Sequence, residues 1–298
     1  MKSIKSFLGK YGSTIFLLSF WLLLFIFFTL IPIVISVFLS FTDFDMVKSF
    51  EFVGAENYIR LFLDDDIFIK ALGNTMYYAL ITGPIGYILS FIIAWLINET
   101  GRTVRSLLTL VFYAPSLAGN VFMMWQYFFS GDSYGILNSM LIRFGFISNP
   151  IQWQNDPQYN SVVVIVVILW MSMGAGFLAF VAGFKQLDMS LYEAAAMDGL
   201  RNRWQELWYI TLPQMIPQLL ISAVLSISSS FAVGYQNAAL TGNPSTDYST
   251  HTVVLHISDY GYTRLEMGYA CTVAVVLFFI MVITWTLLNK ALRCIGKD

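Results

Sequence analysis

Six stretches of this chain, at 14 to 40, 71 to 97, 106 to 129, 161 to 184, 213 to 235 and 268 to 289, carry no Lys, Arg, Asp or Glu deep inside them. Each reaches the roughly 20 apolar residues that a membrane crossing needs. Lipid offers no partner to a stray backbone N–H or C=O, so a crossing segment must close its own hydrogen bonds as a helix. The sequence therefore predicts an all-α membrane protein built on six transmembrane helices. Composition agrees, with 57% hydrophobic and 11% charged residues, against about 25% charged in a soluble domain. So few charges could not cover a globule in water. The first stretch follows Lys2, Lys5 and Lys10 and superficially resembles a signal peptide. It is longer than a signal peptide's apolar core and holds no small-residue cleavage site, so it reads as an uncleaved first span.

Charge sets the expected orientation. With the amino terminus inside, the inner segments hold Lys2, Lys5, Lys10, Arg102, Arg105, Lys185, Arg201, Arg203, Lys290, Arg293 and Lys297, most of the 16 basic residues. The outer loops collect acids such as Asp43, Asp45, Glu51, Glu56, Asp64, Asp65 and Asp66. The positive-inside rule then places both termini in the cytoplasm. The expected organisation is a cytoplasmic segment, 1–13, followed by one six-helix domain, 14–298, with its core at 71–290. The net charge of −2 gives no field for nucleic acid. Cys271 and Cys294 would lie roughly 35 Å apart on one helix at about 1.5 Å per residue, too far to bridge, and read as small buried hydrophobes. No metal-ligand spacing is visible, and His251 and His256 fall in an outer loop as ordinary loop residues. Pro32, Gly83 with Pro84, Pro115, and Gly174 with Gly176 read as sites of kinking and close helix contact. The outer loops, 42–70, 130–160 and 236–267, could offer a docking surface to something outside.

One inner segment, 185–212, is too long and too patterned for a connector. It reads as two short helices. Ser190 is the expected cap of the first, with Glu193 three residues on and the helix formers Ala194, Ala195, Ala196 and Met197 following. Gly199 supplies a permissive turn. Trp204, Leu207, Trp208 and Ile210 then give an apolar face up to Pro213, which can open the next span where a missing N–H costs least. Spacing alone leaves open a simple interfacial element.

The residues themselves go further. Glu193-Ala194-Ala195, Asp198-Gly199 and Ile210-Thr211-Leu212-Pro213, with Pro217 after them, resemble the EAA motif of permease subunits of ABC importers. Leu200, where Ala is common, and Trp204, where Phe is common, depart from it and keep an apolar contact. Over nearly the whole chain the match is similar to the sugar-permease branch, the MalF-like subunits of carbohydrate importers. It is carried by Leu39-Ser40-Phe41-Thr42-Asp43, by Phe52-Val53-Gly54 through Glu56-Asn57-Tyr58, by Tyr134-Gly135-Ile136-Leu137-Asn138, and by Leu240-Thr241-Gly242-Asn243-Pro244. Extra amino-terminal spans and a large periplasmic insertion, present in the maltose subunit, are absent here.

This resemblance implies a type I ABC importer permease fold, multi-pass in a bacterial cytoplasmic membrane. It implies a second homologous permease subunit, two ATPase subunits and an extracytoplasmic solute-binding protein. ATP and Mg belong to the ATPase partners, since this chain has no G-x-x-x-x-G-K-[ST] loop and binds no cofactor of its own. Glu193, Ala194, Ala195, Asp198, Gly199, Leu212 and Pro213 become the expected ATPase-coupling residues. Glu193 would pair with a basic group, Ala194 and Ala195 would allow close approach, and Gly199 would hold the bend.

Sugars are recognised through hydroxyls and by stacking on rings, so the pathway should be lined by polar and aromatic groups of the later spans. The candidates are Ser116, Asn120, Ser172, Gly174, Ser230, Phe231, Gly234, Tyr235 and Asn237. Serine hydroxyls such as those of Ser226, Ser228, Ser229 and Ser230 also commonly bond back to their own helix. No intramembrane charge supports an ion-coupled transporter, and no nucleophile with a base at membrane depth supports a hydrolase. A non-sugar cargo within the ABC class remains the other reading.

Overall fold

The computed structural model describes residues 16–47, 50–200 and 202–295, so the expected cytoplasmic segment 1–13 and the last three residues lie outside the described residues. Among those described the chain is helical, with no strand and one isolated bridge between Thr42 and Phe52. It falls into two compact units, 1–65 with 257–278, and 66–256 with 279–298.

In the first unit, helix α1 (Phe16–Leu39) is apolar and wholly exposed over its most apolar window. Its ladder widens to i→i+5 bonding at Ile26–Leu30, just before Pro32, whose ring has no N–H to continue the narrower pattern. Helix α2 (Glu56–Leu63) packs against the end of α1 through Asn57 and Tyr58, whose hydroxyl lies 2.8 Å from Ser40 Oγ. Asn57 Nδ2 donates to the carbonyls of Ser40 (3.1 Å) and Thr42 (2.8 Å). Thr272 Oγ1 donates to the same Ser40 carbonyl at 2.9 Å. Arg60 is ion-paired to Glu266 at 2.7 Å and lies 4.3 Å over the ring of Tyr269, whose hydroxyl donates to Asp65 at 2.7 Å.

The second unit is built on α3 (Asp66–Asn98), followed by α4 (Arg102–Leu117), α5 (Met123–Phe128), α6 (Ile136–Arg143), α7 (Asn160–Met171), α8 (Ala175–Lys185), α9 (Met189–Met197), α10 (Arg203–Gln214), α11 (Ile216–Phe231) and α12 (Tyr235–Thr241). Helix α13 (Val253–Ser258) and the long helix α14 (Met267–Ile295) complete the chain. Among the described residues four helices are long and apolar enough to cross a membrane: Phe16–Leu39, Asp66–Asn98, Asn160–Lys185 and Met267–Leu287. Arg203–Gln214 with Ile216–Phe231 makes a fifth if that pair, bent by 81°, is counted as one.

Two expectations differ from this. The third expected span, 106–129, is not one helix: α4 stops at Leu117, Ala118 is extended, and α5 begins only at Met123. Pro115 stands in the last turn of α4, and the weak helix formers Gly119 and Asn120 follow its end. Pro213 does not open the next span. It lies near the end of α10, the chain bends at Met215, and Pro217 occupies the first turn of α11, where its missing N–H was due to be unpaired anyway.

Helices α3, α8 and α11 cross at glycine and serine. A Cβ on Gly83 would lie 3.2 Å from Ser230 Oγ, one on Gly86 3.0 Å from Ser172 Cβ, and one on Gly176 3.5 Å from the Ser222 carbonyl. Small residues bring the backbones close enough for serine to bond across them, as Ser226 Oγ does to the Gly83 carbonyl (3.0 Å) and Ser222 Oγ to that of Gly176 (2.8 Å). Two apolar cores flank this crossing. Phe91, Phe177, Phe180, Phe184 and Met215 form one, and Tyr78, Phe122, Val163, Val164 and Val167 the other.

The same substitution at two glycines of α3 should have opposite signs. Gly86→Ala forces Ser172 to move and should destabilise by about 1–3 kcal/mol; Gly73→Ala, with open space around its new Cβ, should stabilise by about 0.5–1 kcal/mol. Thermal unfolding midpoints in detergent check both. Asn57→Ala strands the Thr42 carbonyl and leaves that of Ser40 with Thr272 alone, and should lower the midpoint by the equivalent of about 2 kcal/mol.

Candidate functional site

The segment 185–212 folds as the two helices its sequence suggests, with a different cap. Asp188, not Ser190, is the N-cap of α9: its Oδ1 accepts from Ser190 N at 2.9 Å, and hydrogen bonds from Ser190 hold its carboxyl below the ordinary value. The Asp188 amide in turn donates to Gln214 Oε1 at 3.0 Å, tying the start of α9 to the end of α10. Asp188 precedes the helix with an extended backbone, the conformation an N-cap requires, whereas Ser190 is already helical.

The other end of α9 is closed by its own chain. Leu200 N donates to the Ala195 carbonyl (3.0 Å) and Gly199 N to that of Ala196 (3.3 Å), with Gly199 at φ +95°. This is a Schellman closure, and it needs a residue without a Cβ penalty at Gly199. Tyr192 Oη lies 2.6 Å from Thr211 Oγ1. Thr211 gives its own proton to the Glu206 carbonyl, so Tyr192 is the donor in that pair. Burial pushes the Tyr192 phenol up, against the lowering effect of this bond.

Of the expected coupling residues, Glu193, Ala194, Asp198, Gly199 and Pro213 are exposed, and Ala195 and Leu212 half-buried. Glu193 has no hydrogen bond or ion pair among the described residues, so it does not complete a capping box. Beside it Met189, Leu191 and Met197 are exposed, Met197 at 88%. Met189, Glu193 and Met197, spaced four apart, thus put two apolar side chains and one free carboxylate on one side of α9, with Leu191 round the helix from them. On α10, Leu207 and Ile210 are buried, while Trp204 and Trp208 are exposed and Trp204 rests on Trp95 with ring centroids 5.4 Å apart.

A cavity of about 540 Å³ opens where α3, α7, α8 and α11 meet. Its α3 residues, Thr82, Tyr87 and Ser90, sit near the middle of that 33-residue helix. The chain between α7 and α8 breaks at Ser172 to Gly174 beside it, and no charged residue lines it. Five of its serines are committed as donors: Ser116 to the Tyr113 carbonyl, Ser172 to Leu169, Ser226 to Gly83, Ser229 to Ser226 and Ser230 to Ile227, all between 2.7 and 3.0 Å. Each hydroxyl oxygen keeps lone pairs to accept with. The wall therefore suits a ligand rich in O–H donors, with the half-buried Tyr87, backed by Phe180, available as ring surface.

Four of the expected pathway residues line this cavity: Ser116, Ser172, Gly174 and Ser230. Phe231, Gly234 and Asn237 are buried elsewhere. Gly234 lies so close to Val254 that an added Cβ would stand 2.7 Å from its Cγ1, and Asn237 Nδ2 donates to the Thr250 carbonyl at 2.9 Å. Tyr235 is exposed with its ring edge on Phe122, and Asn120 is exposed in the break between α4 and α5. Sequence reasoning missed Ser222, Tyr87, Ser90 and Gln236. The four-residue rhythm of Ser222, Ser226 and Ser230, one face of a helix, was the available signal. His251 and His256, expected as ordinary loop residues, are both buried, at 3% and 1% exposure.

Known proteins share this architecture. A solved bacterial alginate ABC transporter, in complex with an alginate pentasaccharide-bound periplasmic protein, contains a chain of the same fold at a TM-score of 0.78 and 20% identity, covering 98% of both chains. The probable ABC transporter permease protein YesP of Bacillus subtilis (strain 168) is 30% identical over 89% of this chain and 85% of its own. The lactose transport system permease protein LacF of Rhizobium radiobacter is 29% identical over 86% of each. The profile of the binding-protein-dependent transport system inner membrane component family matches residues 84–292, a stretch that holds the loop and the cavity's lining except Thr82. On that match the chain belongs to the family of inner membrane components of binding-protein-dependent transport systems, and is a permease subunit.

Proposed function

We propose that this chain is one of the two membrane-spanning subunits of an ATP-driven importer. With a second homologous permease subunit it forms the pathway for a sugar or oligosaccharide handed over by an extracytoplasmic binding protein. The carrying observation is the uncharged cavity half-way along α3, whose serines accept hydrogen bonds and whose half-buried Tyr87 offers a ring face. Hydroxyl donors and apolar sugar faces match both. Carbohydrate is also the cargo named for LacF and for the alginate transporter, which supports the same reading.

In this reading the chain crosses a bacterial cytoplasmic membrane six times with both termini in the cytoplasm. The broken pair α4 and α5 makes the third crossing, and α11 the fifth. Two ATPase subunits carry ATP and Mg below the membrane. Helix α9 docks on one of them through Met189, Leu191, Met197 and the free carboxylate of Glu193, and Ala194 and Ala195 let the partner backbone approach. Asp198 and Gly199 close the helix, and Leu212 and Pro213 join the loop to α11. ATPase closure then moves α9 and α10 together, because the Tyr192 to Thr211 and Asp188 to Gln214 bonds hold them as one body. That motion reaches α11 across the bend at Met215.

The test is ATP-dependent uptake of labelled saccharides into vesicles holding this chain with its partner permease, ATPase and binding protein. Glu193→Lys should replace an attractive contact by repulsion, cost about 3 kcal/mol of docking, and weaken ATPase association roughly a hundredfold, with uptake lost. Ser229→Trp should fill the cavity and abolish uptake while leaving ATPase association unchanged. Uptake that survives Glu193→Lys, or that runs on an ion gradient without ATP, would overturn the reading.

A further inference from the structure

A second cavity, of about 460 Å³, lies in the same unit between the loop and the ends of the apolar helices. The end of α3 supplies Asn98 and Glu99, the first turn of α4 supplies Arg105, and the end of α8 supplies Lys185. The loop helices add Tyr192, Arg203 and Glu206. Its volume falls within the roughly 300–1,000 Å³ of small-ligand sites.

The charges in it do not cancel. Both acids are taken by one cation: Arg203 Nη2 lies 3.2 Å from Glu99 Oε2, and its Nη1 lies 3.2 Å from Glu206 Oε2. Arg105 and Lys185 are left with no acidic partner among the described residues. Arg105 Nη2 donates to the carbonyls of Asn98 and Thr100, but its Nε is shielded from solvent and has no acceptor. Arg105 also stands in the first turn of α4, whose N-terminus has neither an acidic residue nor a side-chain cap, so the helix dipole adds to the positive potential. Trp95, Phe184 and Leu207 give the remaining wall an apolar surface. A guanidinium and an ammonium lining one cavity beside such a wall fit an oxyanion carried on a small organic body, and the tetrahedral phosphate ester fits both donors.

We infer that this cavity is a binding site for a phosphate ester of about the size of glycerol phosphate, held by Arg105 and Lys185. The ester is either the headgroup of an anionic phospholipid or a soluble organophosphate. Because Tyr192 and Arg203 come from the loop while Asn98 and Lys185 end the apolar helices, an occupant ties the loop to those helices. The inference stands on this packing and is independent of the cargo.

The experiment uses the complete importer in two settings. In phosphatidylcholine nanodiscs, glycerol 3-phosphate binding is followed by calorimetry. In nanodiscs of phosphatidylcholine with phosphatidylglycerol, the phosphatidylglycerol that stays with the protein through detergent extraction is measured by mass spectrometry. A soluble source predicts binding in the first setting, and a lipid source predicts retention in the second. Lys185→Gln should weaken whichever is seen by roughly threefold to tenfold. Arg105→Gln should weaken it further, but Arg105 also braces two carbonyls, so Lys185→Gln, which breaks no bond in the fold, is the deciding variant. Absence of both signals, or signals that Lys185→Gln leaves unchanged, would overturn the inference. Neither readout requires transport, so a failure here stays distinct from a failure of the uptake test.

Discussion

In a bilayer an unpaired polar group has no water to fall back on, and the arrangement of this chain follows from where it hides such groups. The α3, α8 and α11 crossing is the clearest case. Gly83, Gly86 and Gly176 bring backbones close enough for Ser222 and Ser226 to donate across to a neighbouring helix instead of to lipid. Had those glycines been alanines, the serines would have had no carbonyl in reach. The same donations leave the serine oxygens as acceptors facing an internal space. The packing solution and the chemistry of the cavity wall are therefore one arrangement, and a substitution that disturbs one disturbs the other.

Outside the apolar helices the strategy changes from a comb to single hubs. Asn138 is wholly buried. Its Nδ2 donates to the carbonyls of Ser130, Asp132 and Ile151, and its Oδ1 accepts from Ile151 N and the Trp153 indole. Asn57 does comparable work for Ser40 and Thr42. Thr241 bonds to the Asn237 carbonyl and to Thr250. Asn138 and Asn57 each replace several backbone partners that irregular chain cannot find in a regular ladder, and Thr241 ties α12 to Thr250 through a side-chain pair.

These hubs explain why the sequence was readable where it was. Asn57, Asn138 and Thr241 fall inside the short stretches that carried the resemblance to sugar permeases, because residues bound to several backbone groups at once admit few replacements. The two helices of the loop and the turn at Gly199 were legible from propensity and from a glycine at the right place. Boundaries decided by competition between neighbours were not. Asp188 outcompeted Ser190 as the cap because it stands one step outside the helix. Pro217 rather than Pro213 starts α11, because the chain turns at Met215 between them. The break after Leu117 was hidden by apolar composition, which fixes where a chain is inserted and not whether its backbone stays helical. Four pathway residues reached the cavity while Phe231, Gly234 and Asn237 went into packing, since helical rotation beyond a break cannot be read from spacing.

The closure of α9 at Gly199 carries a consequence for association. A helix whose last carbonyls are bonded by its own chain, and whose first amide is bonded by Asp188, is already ordered before anything touches it. A partner that receives it need not supply the ordering entropy that a frayed or disordered segment would demand on contact. Affinity can then remain modest while the geometry stays strict, so the joint can be loaded and released every cycle without the loop having to fold again.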